Sequence, residues 1–415
     1  MISSPVSRLA LAISLSVATT SALASAQPFN TARSFAMGGT GVAVAHPATA
    51  NIANPAMLAS KHHEWSDDFG VILPSLNVRV ADDEDVIDQI DDIQDTIDTI
   101  EASANNSDVP GVQTGAGELR QQLSALNRDT MRADAGLGLS LAIPMDTVSI
   151  GVFAAATVRA TVRGNISDQD LQDLEDIENG TVTDVLLEGR NLGDNLSSNG
   201  TVLASSIAEF GVSFARSFEL SNGNSVEAGV APKYVQLRTF EHVEKVSSFE
   251  DDDATDDENE TDDSGFNLDL GLAYAFGENR EWNTGLAVRN LIPMDLDSVS
   301  GRNFELDPRI TAGIAHSGDL HVVTAEIDLT KREAFGYGDD TQWVAVGAEF
   351  DAFRYAQLRV GARQNLASND DDNGIEEDTQ FTAGIGLSVF GARVDLAALV
   401  SDTDTGAAIE LGAAF

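Results

Sequence analysis

The chain of 415 residues contains no cysteine. This absence excludes a disulfide framework, thiolate metal ligands and a cysteine nucleophile. Basic residues are scarce, since 24 Lys and Arg stand against 67 Asp and Glu and give a formal charge of −43. Nucleic acid is not an expected partner, because phosphate binding needs Lys and Arg to displace counterions. After residue 26 there is also no apolar run long enough to span a bilayer as a helix.

Motifs of catalysis and cofactor binding are missing too. The chain has no G-x-S-x-G, no H-E-x-x-H, no phosphate-binding loop and no dinucleotide fingerprint. We therefore predict that the protein is not an enzyme and uses no cofactor. Asn369, Asp371 and Asn373 have partial calcium-loop spacing, but Gln380 stands where a bidentate Glu is required. A solvated loop is the preferred interpretation, and no metal site is predicted.

Residues 1–26 have the features of a signal peptide. Arg8 supplies a positive charge, a short apolar run follows from Leu9 to Val17, and Ala24-Ser25-Ala26 is a small-residue cleavage site. An uncleaved anchor helix is the alternative, but it needs about 20 apolar residues. We predict export and cleavage, with the mature chain starting at Gln27.

From about residue 69 onward, apolar residues alternate with small or polar ones. In the segment Phe266 to Phe276, every second residue is apolar, which indicates a strand with one apolar face. Lengths near ten residues suit tilted transmembrane strands. Fourteen such segments begin near residues 69, 130, 148, 206, 226, 265, 281, 309, 320, 342, 357, 380, 392 and 407.

The links between these segments alternate in length. Short links lie near 144–147, 221–225, 278–280, 316–319, 351–356 and 390–391, and long links occupy 81–129, 164–205, 241–264, 291–308, 331–341, 366–379 and 401–406. Outer-membrane barrels show this asymmetry, with long extracellular loops and short periplasmic turns. A soluble antiparallel sandwich also alternates, but it does not explain the link lengths.

The last strand supports the same fold. It ends in Phe415, and a terminal strand ending in Phe resembles the signal read by the outer-membrane assembly machinery. We predict an all-β fold in which residues 67–415 form an antiparallel transmembrane β-barrel of about fourteen strands. The expected location is the outer membrane of a Gram-negative bacterium, in contact with its lipid.

Two of the long links have features of their own. In 81–129, Val86, Ile90 and Ile93 recur at helical spacing, and Leu119 and Leu123 form a second such row, which predicts a helical hairpin. A mobile loop with nascent helix is the alternative. The link 241–264 contains an Asp-rich block at 251–263 and is interpreted as a solvated acidic loop.

The segment 27–66 does not alternate, and small residues dominate it. Gly38, Gly39 and Gly41 permit tight turns and a close approach to another backbone. A compact segment of this kind, placed ahead of the first strand, predicts a plug inside the lumen.

The same segment resembles a known family. Residues 32–41, Ala-Arg-Ser-Phe-Ala-Met-Gly-Gly-Thr-Gly, and the later Asn54-Pro55-Ala56 are similar to the start of FadL-like outer-membrane proteins, closest to the branch named TraF-type conjugal transfer protein. The Asn-Pro-Ala triplet is similar to that of the FadL hatch. This resemblance implies a fourteen-stranded barrel closed by an N-terminal hatch, through which hydrophobic compounds pass. The TraF-type name implies a role in plasmid transfer.

Charged residues on the strands are expected to face the lumen, because Arg on the lipid face costs about 2–4 kcal/mol at the midplane. One interpretation is a polar channel or a docking surface for the plug. The favoured one is internal salt bridging that fills a narrow barrel, since many lumen positions are Gly or Ala. The inward positions are Arg159, Arg289, Arg359, Arg363, Arg393, Asp134, Glu209, Glu227, Asp269, Glu326, Asp328, Glu349, Asp395 and Glu410.

Individual residues carry further expectations. Arg33 either pairs with a lumen carboxylate and holds the plug or is a solvated charge. Asn54-Pro55 is interpreted as a rigid plug turn rather than a ligand contact. Trp282 fits a periplasmic aromatic belt, and Trp343 is a candidate for the outer belt although alternation turns it inward.

Two hypotheses of function follow. A plugged channel for small hydrophobic compounds predicts a cavity between plug and wall, lined by Phe and Leu. A structural or interaction component of a conjugal transfer or secretion system predicts a filled lumen and a partner protein at one rim.

Overall fold

The computed structural model describes residues 29–60, 70–82, 84–143, 145, 147–181, 184–247, 257–337, 340–352, 355–367, 375, 377–389 and 391–413. The predicted signal peptide, residues 251–256 of the acidic loop, the calcium-like spacing at 369–374 and Phe415 lie outside these ranges.

Sixteen strands occur in the described residues, and fourteen of them form a closed antiparallel barrel in which the first strand pairs with the last. The predicted fold, a transmembrane barrel of fourteen strands, is confirmed. The remaining two, β8 and β9, form a hairpin between β7 and β10. The strands are β1 (Val71–Ala81), β2 (Thr130–Ile143), β3 (Ser149–Asn165), β4 (Asn199–Glu219), β5 (Ser225–Lys245), β6 (Glu260–Phe276), β7 (Trp282–Arg289), β8 (Met294–Asp297), β9 (Asn303–Leu306), β10 (Arg309–Ser317), β11 (His321–Asp328), β12 (Trp343–Ala352), β13 (Ala356–Asn365), β14 (Gln380–Val389), β15 (Ala392–Val400) and β16 (Asp404–Ala413).

Helices occupy the N-terminal segment and three of the long links. Within the described ranges, none of them has both the length and the apolar character that crossing a bilayer requires. They are α1 (Ala32–Ala36), α2 (Pro47–Ala53), a 3-10 helix (Pro55–Ala59), α3 (Val86–Asn105), α4 (Val109–Leu126), α5 (Asp168–Glu178), α6 (Val185–Arg190), α7 (Leu192–Asn195) and a second 3-10 helix (Asp257–Asn259).

Alternation along the strands sorts side chains between lipid and lumen. In β6, Phe266 is 79% exposed and Leu272 is exposed, whereas Asn267 and Asp269 between them are buried. Since apolar side chains form the outer surface and polar ones the inner surface, the barrel suits a lipid environment.

Strands β4 and β5 are longer than predicted, and β4 begins at Asn199 rather than near 206. The inner faces of their extensions are covered by the β8–β9 hairpin, because Leu203 and Leu237 pack against Phe304 and Leu306. Phe335, from the link between β11 and β12, joins this cluster and makes an edge-to-face contact with Phe304 at 5.3 Å. The long-link rim of the barrel is therefore folded inward on this side.

Helices α3 to α7 form a subdomain at the same rim, hereafter the helical cap. Ile93 and Ile100 of α3 pack against Leu119 and Leu123 of α4, and Leu174 of α5 completes the buried core. The spacing that predicted a helical hairpin in 81–129 thus corresponds to α3 and α4. The link 164–205 adds α5, α6 and α7 to the cap.

The two strand tryptophans face opposite ways. Trp282 is 39% exposed at the short-turn rim, where it stacks on Phe276 and meets His316 edge-to-face, an arrangement that suits an aromatic belt. Trp343 is only 4% exposed and points into the lumen. A place for Trp343 in the outer belt is therefore wrong, because its position in the alternation of β12 turns it inward.

Candidate functional site

The N-terminal segment lies inside the barrel and contacts its wall on several sides. Helix α1 packs on β13 to β16, α2 on β1 to β3, and the first 3-10 helix on β3 to β6. The described part of this segment, residues 29–60, is called the plug below. It crosses the lumen and connects strands from opposite sides of the barrel.

Two wall glycines face the centre of the plug. Gly229 and Gly271 are direct partners across β5 and β6. A β-carbon on Gly229 would lie 2.4 Å from the backbone nitrogen of Ala56, and one on Gly271 would lie 2.1 Å from Oδ1 of Asn54. Any larger residue would collide at both positions. The backbone of the Asn-Pro-Ala triplet therefore rests directly on the wall.

Asn54 holds this contact in place with its side chain. Its Oδ1 accepts a hydrogen bond from the nitrogen of Ala56 at 3.1 Å, which caps the 3-10 helix that starts at Pro55. Its Nδ2 donates to the carbonyl of Val42 at 2.8 Å and to that of Leu272 in β6 at 3.2 Å. These bonds are those of a rigid turn attached to the wall.

The glycine loop of the plug meets the opposite wall. Gly38 and Gly39 have φ angles of +74° and +87°, which a residue with a β-carbon rarely adopts. The nitrogen of Gly38 donates to Oγ1 of Thr382 at 2.9 Å. A β-carbon on Gly361 would lie 2.2 Å from the nitrogen of Gly38, so here too a wall glycine admits the plug backbone.

Two wall carboxylates bind the plug backbone. Oε1 of Glu326 accepts hydrogen bonds from the nitrogens of Gly41, Val42 and Ala43 at 2.8, 2.7 and 3.3 Å. Glu410 accepts one from the nitrogen at the start of α1, Ala32, at 3.1 Å. Charge-assisted bonds of this kind are stronger than those between neutral groups.

Arg33 ties the plug into a row of alternating charges. Its Nε and one terminal nitrogen donate to Glu349 at 2.9 and 3.1 Å. Glu349 also accepts from Arg359 at 2.5 Å, Arg359 contacts Asp395 at 2.5 Å, and Asp395 pairs with Arg393 at 2.6 Å. Arg33 thus pairs with a lumen carboxylate rather than standing in solvent. The row links the plug to β12, β13 and β15.

A second ionic network lies at the other side of the lumen, and the sequence analysis missed most of it. Arg132 is fully buried and contacts Asp134, Glu377 and Asp404 at 3.1, 2.7 and 2.5 Å. Arg79 pairs with Glu377 and Asp404, and Arg159 pairs with Asp134 at 2.7 Å. Because Glu377 belongs to the link between β13 and β14, this long link also turns into the lumen.

Seven of the charges predicted to face the lumen are buried inside the barrel: Arg159, Arg359, Arg363, Arg393, Glu326, Glu349 and Asp395. A third group joins Lys233 and Arg289 to Glu209 and Asp269. The ionic interactions fill the bore, as the favoured interpretation requires. In the described part of the chain, two of the seven have no oppositely charged group within 4.0 Å: Glu326, which binds the plug backbone instead, and Arg363.

Two adjoining cavities with volumes of about 50 and 60 Å³ lie between the plug and the wall. Phe29, Arg289 and Arg309 line both of them, and Ile207 and Leu306 add apolar surface to the first. The lining is mixed rather than the Phe and Leu surface expected of a hydrophobic channel. Ligand sites usually measure about 300–1,000 Å³, so the lumen is closed in this state.

Known proteins resemble the chain in sequence profile and in fold. The family described as "F plasmid transfer operon, TraF, protein" matches residues 51–328 and confirms the TraF-type resemblance. The TodX deltaS2S3 mutant, a monoaromatic hydrocarbon channel, superimposes with a TM-score of 0.53 at 14% identity, covering 94% of this chain and 99% of that chain. The P. putida toluene transporter TodX gives 0.51 at 14% over 94% and 99% of the chains, and the CymD monoaromatic hydrocarbon channel 0.51 at 13% over 93% and 97%. These likenesses concern the fold, and no curated protein matches the sequence.

Proposed function

Since the chain belongs to the family described as "F plasmid transfer operon, TraF, protein" and has the fold of solved hydrocarbon channels, we propose that it is a plugged outer-membrane channel for small hydrophobic compounds. The observation that carries this proposal is the pair of adjoining cavities between plug and wall. They are places where the plug is not packed against the wall.

The chemistry of the cavity wall is compatible with an apolar passenger. Phe29, Ile207 and Leu306 offer it apolar contacts. Arg289 and Arg309 are already paired with Glu209 and Asp328, so a passing compound does not have to desolvate an isolated ion. Because the cavities are too small for such a compound, transport requires that the plug shift away from the wall.

Filling the first cavity tests the proposal. Ala155 of β3 lines it, and Ala154 is the adjacent residue on the lipid side of the same strand. We expect that Ala155→Phe abolishes uptake of a labelled monoaromatic hydrocarbon by cells that carry the barrel, because the new ring occupies the passage. Ala154→Phe adds the same ring on the outside and is expected to leave uptake unchanged.

Both variants are first checked for slower migration after boiling on a detergent gel, which reports an intact barrel. The proposal fails if Ala155→Phe transports as well as Ala154→Phe. It also fails if the unmodified protein gives no more uptake than cells that lack it.

The helical cap supports a second candidate function, that of an interaction component of a conjugal transfer or secretion system. Asp88, Asp92, Asp95 and Asp98 all lie on the exposed face of α3, which carries no Lys or Arg. A cap with its own buried core presents this face rigidly, and such a surface attracts a basic partner segment.

Neutralising the cap tests this role. In donor cells with the cognate transfer system, we expect Asp92→Asn, Asp95→Asn and Asp98→Asn together to lower plasmid transfer by roughly tenfold, as losing charge complementarity slows association. The matched control is the triple change Asp262→Asn, Asp263→Asn and Asp295→Asn, which removes three exposed carboxylates elsewhere on the rim. Equal transfer by both variants and the unmodified protein would exclude the cap as a docking surface.

A further inference from the structure

Two of the ionic groups in the lumen contain equal numbers of opposite charges, and Arg363 lies beside one of them. In the second network, three guanidinium groups face three carboxylates: Arg79, Arg132 and Arg159 against Asp134, Glu377 and Asp404. The third group sets Lys233 and Arg289 against Glu209 and Asp269. Arg363 adjoins the second network through Gln380, which offers a neutral amide oxygen at 2.7 Å instead of a carboxylate. It adds one positive charge that no described residue neutralises.

The donors around Arg363 are incompletely used. Arg363 is 8% exposed, and only its Nε donates a hydrogen bond within the described residues. Its guanidinium lies 4.3 Å from the centre of the Trp343 ring, and the buried indole Nε1 of Trp343 has no hydrogen-bond partner there either. Because a buried donor without an acceptor is costly, the indole of Trp343 requires an acceptor that no described residue supplies.

A cavity of about 30 Å³ lies beside these two residues and is lined by both. One water needs roughly 10–15 Å³ by the same measure, so the space holds a single small ion or a few waters. On the plug side Asn30, Gly38 and Gly39 line it, and a β-carbon on Gly39 would lie 3.5 Å from a terminal nitrogen of Arg363. The cavity is thus bounded by the glycine loop, Arg363 and Trp343.

Further positive charge approaches the cavity from the opposite side. Arg309 and Arg332 line it together with two carboxylates, Asp328 and Glu326. Asp328 already accepts hydrogen bonds from Arg309 and Thr311, and Glu326 accepts those of the plug backbone. Burial and the neighbouring Arg309 lower the pKa of Arg332 to about 9, and Asp328 acts in the opposite direction. Three guanidinium groups therefore surround the cavity against two engaged carboxylates.

We propose that this cavity binds one small monovalent anion of halide size, held by Arg363 and placed against the edge of Trp343. The anion neutralises the unmatched guanidinium and completes the contact between the glycine loop and the wall. The site stands whether or not the barrel conducts hydrophobic compounds, because it rests on Arg363, the unpaired indole of Trp343 and the cavity beside them.

Trp343 provides a built-in reporter for the site. The chain has three tryptophans, so Trp65→Phe with Trp282→Phe leaves Trp343 as the sole fluorophore. Iodide quenches indole fluorescence on contact, whereas chloride does not. In the detergent-solubilised barrel we expect iodide to quench Trp343 with saturation, and chloride to reverse that quenching by competition.

Variants at Arg363 test whether this residue holds the iodide that quenches Trp343. In the same background, Arg363→Gln is expected to bind iodide roughly tenfold more weakly, since a charged donor is lost. Arg363→Lys keeps the charge and should retain most of the quenching. Arg216→Gln removes one exposed guanidinium from β4 and should change nothing. Acrylamide, a neutral quencher, is applied to every variant and reports how accessible the Trp343 indole is, independently of charge.

The outcomes separate cleanly. Saturable, chloride-sensitive quenching that weakens only in Arg363→Gln supports the anion site. Quenching that rises linearly with iodide, ignores chloride or is the same in Arg363→Gln overturns it, as does a complete absence of iodide quenching. If Arg363→Gln does not fold, the chloride competition in the parent protein decides alone. A failure of hydrocarbon uptake leaves these measurements unaffected, so the two proposals fail separately.

Discussion

Replacing Gly271 with valine is expected to unseat the plug and convert the closed barrel into an open pore. A β-carbon at this position would lie 2.1 Å from Oδ1 of Asn54, 2.7 Å from the nitrogen of Ala56 and 3.0 Å from Cδ of Pro55. Asn54 cannot yield without losing its bonds to Val42 and Leu272. The strand itself tolerates valine, since β-branched residues suit strands.

The same strand offers a matched control. A β-carbon on Gly265 would meet only Met294 of the β8–β9 hairpin, at an ordinary contact distance of 3.4 Å. We expect Gly271→Val to raise the conductance of reconstituted barrels, and the entry of a hydrophilic antibiotic into cells, by roughly tenfold, because a barrel interior without a plug fills with water. Gly265→Val should match the unmodified protein.

Two results would contradict this account of the plug. One is equal conductance of the Gly271 and Gly265 variants. The other is a plug that stays resistant to trypsin in Gly271→Val to the same degree as in the unmodified protein. Either result would mean that the wall glycines do not seat the plug, and that the ionic contacts of Arg33 and Glu326 alone hold it.

The barrel was predictable because alternation is a local property of the chain. Each strand records in its own sequence which residues face lipid, so Asp134, Arg159 and Arg359 could be assigned to the lumen without knowledge of their neighbours. Arg132 was overlooked although it lies on the same face as Asp134, two residues away. Extending the alternation of β2 to its first residues would have found it.

Other features have no local signature. Residues at the start of β4 do not alternate in burial, because the inward-folded rim covers them, and β8 and β9 are only four residues long. Glu377 lies in an acidic link without periodicity, so its reach to Arg132 depends on the closed barrel. The alternation in β6 predicts only that Gly271 is a small residue facing the lumen. Its contact with Asn54 is seen in the structure alone.

Removing Arg132 is expected to destabilise the barrel more than any surface change. Its guanidinium is fully buried and contacts three carboxylates. Without it, the two guanidinium groups of Arg79 and Arg159 neutralise only part of that negative charge. Breaking a buried ion network by deleting one partner costs about 3–5 kcal/mol. We expect Arg132→Met to lower the free energy of unfolding in denaturant by this amount. Arg120→Met is the control, since the Arg120–Glu178 pair is one-third exposed and is worth about 0–1 kcal/mol.

The stability lost in Arg132→Met should depend on pH, and the titration of Glu377 sets the direction of that dependence. Burial acts to raise the pKa of Glu377, but the guanidinium groups of Arg132 and Arg79 outweigh it and hold that pKa well below its usual range. A depressed folded-state pKa contributes stability above the unfolded value of about 4.3, and that stability is lost as the pH falls further. The difference between Arg132→Met and the unmodified protein should therefore shrink in acid. If the difference in stability persists at low pH, it arises from packing that the substitution removed and not from the removed charge.

A double-mutant cycle separates the ionic network from simple packing. Glu377→Gln in the Arg132→Met background removes the uncompensated carboxylate together with its partner, so part of the stability is expected to return, with a coupling of about 0.5–3 kcal/mol. Additive losses would mean that Glu377 is fully neutralised without Arg132, by groups that include Arg79 and Arg159. Coupling would instead show that Arg132 binds the link between β13 and β14 inside the lumen, and that this link, like the plug, is held closed by charge.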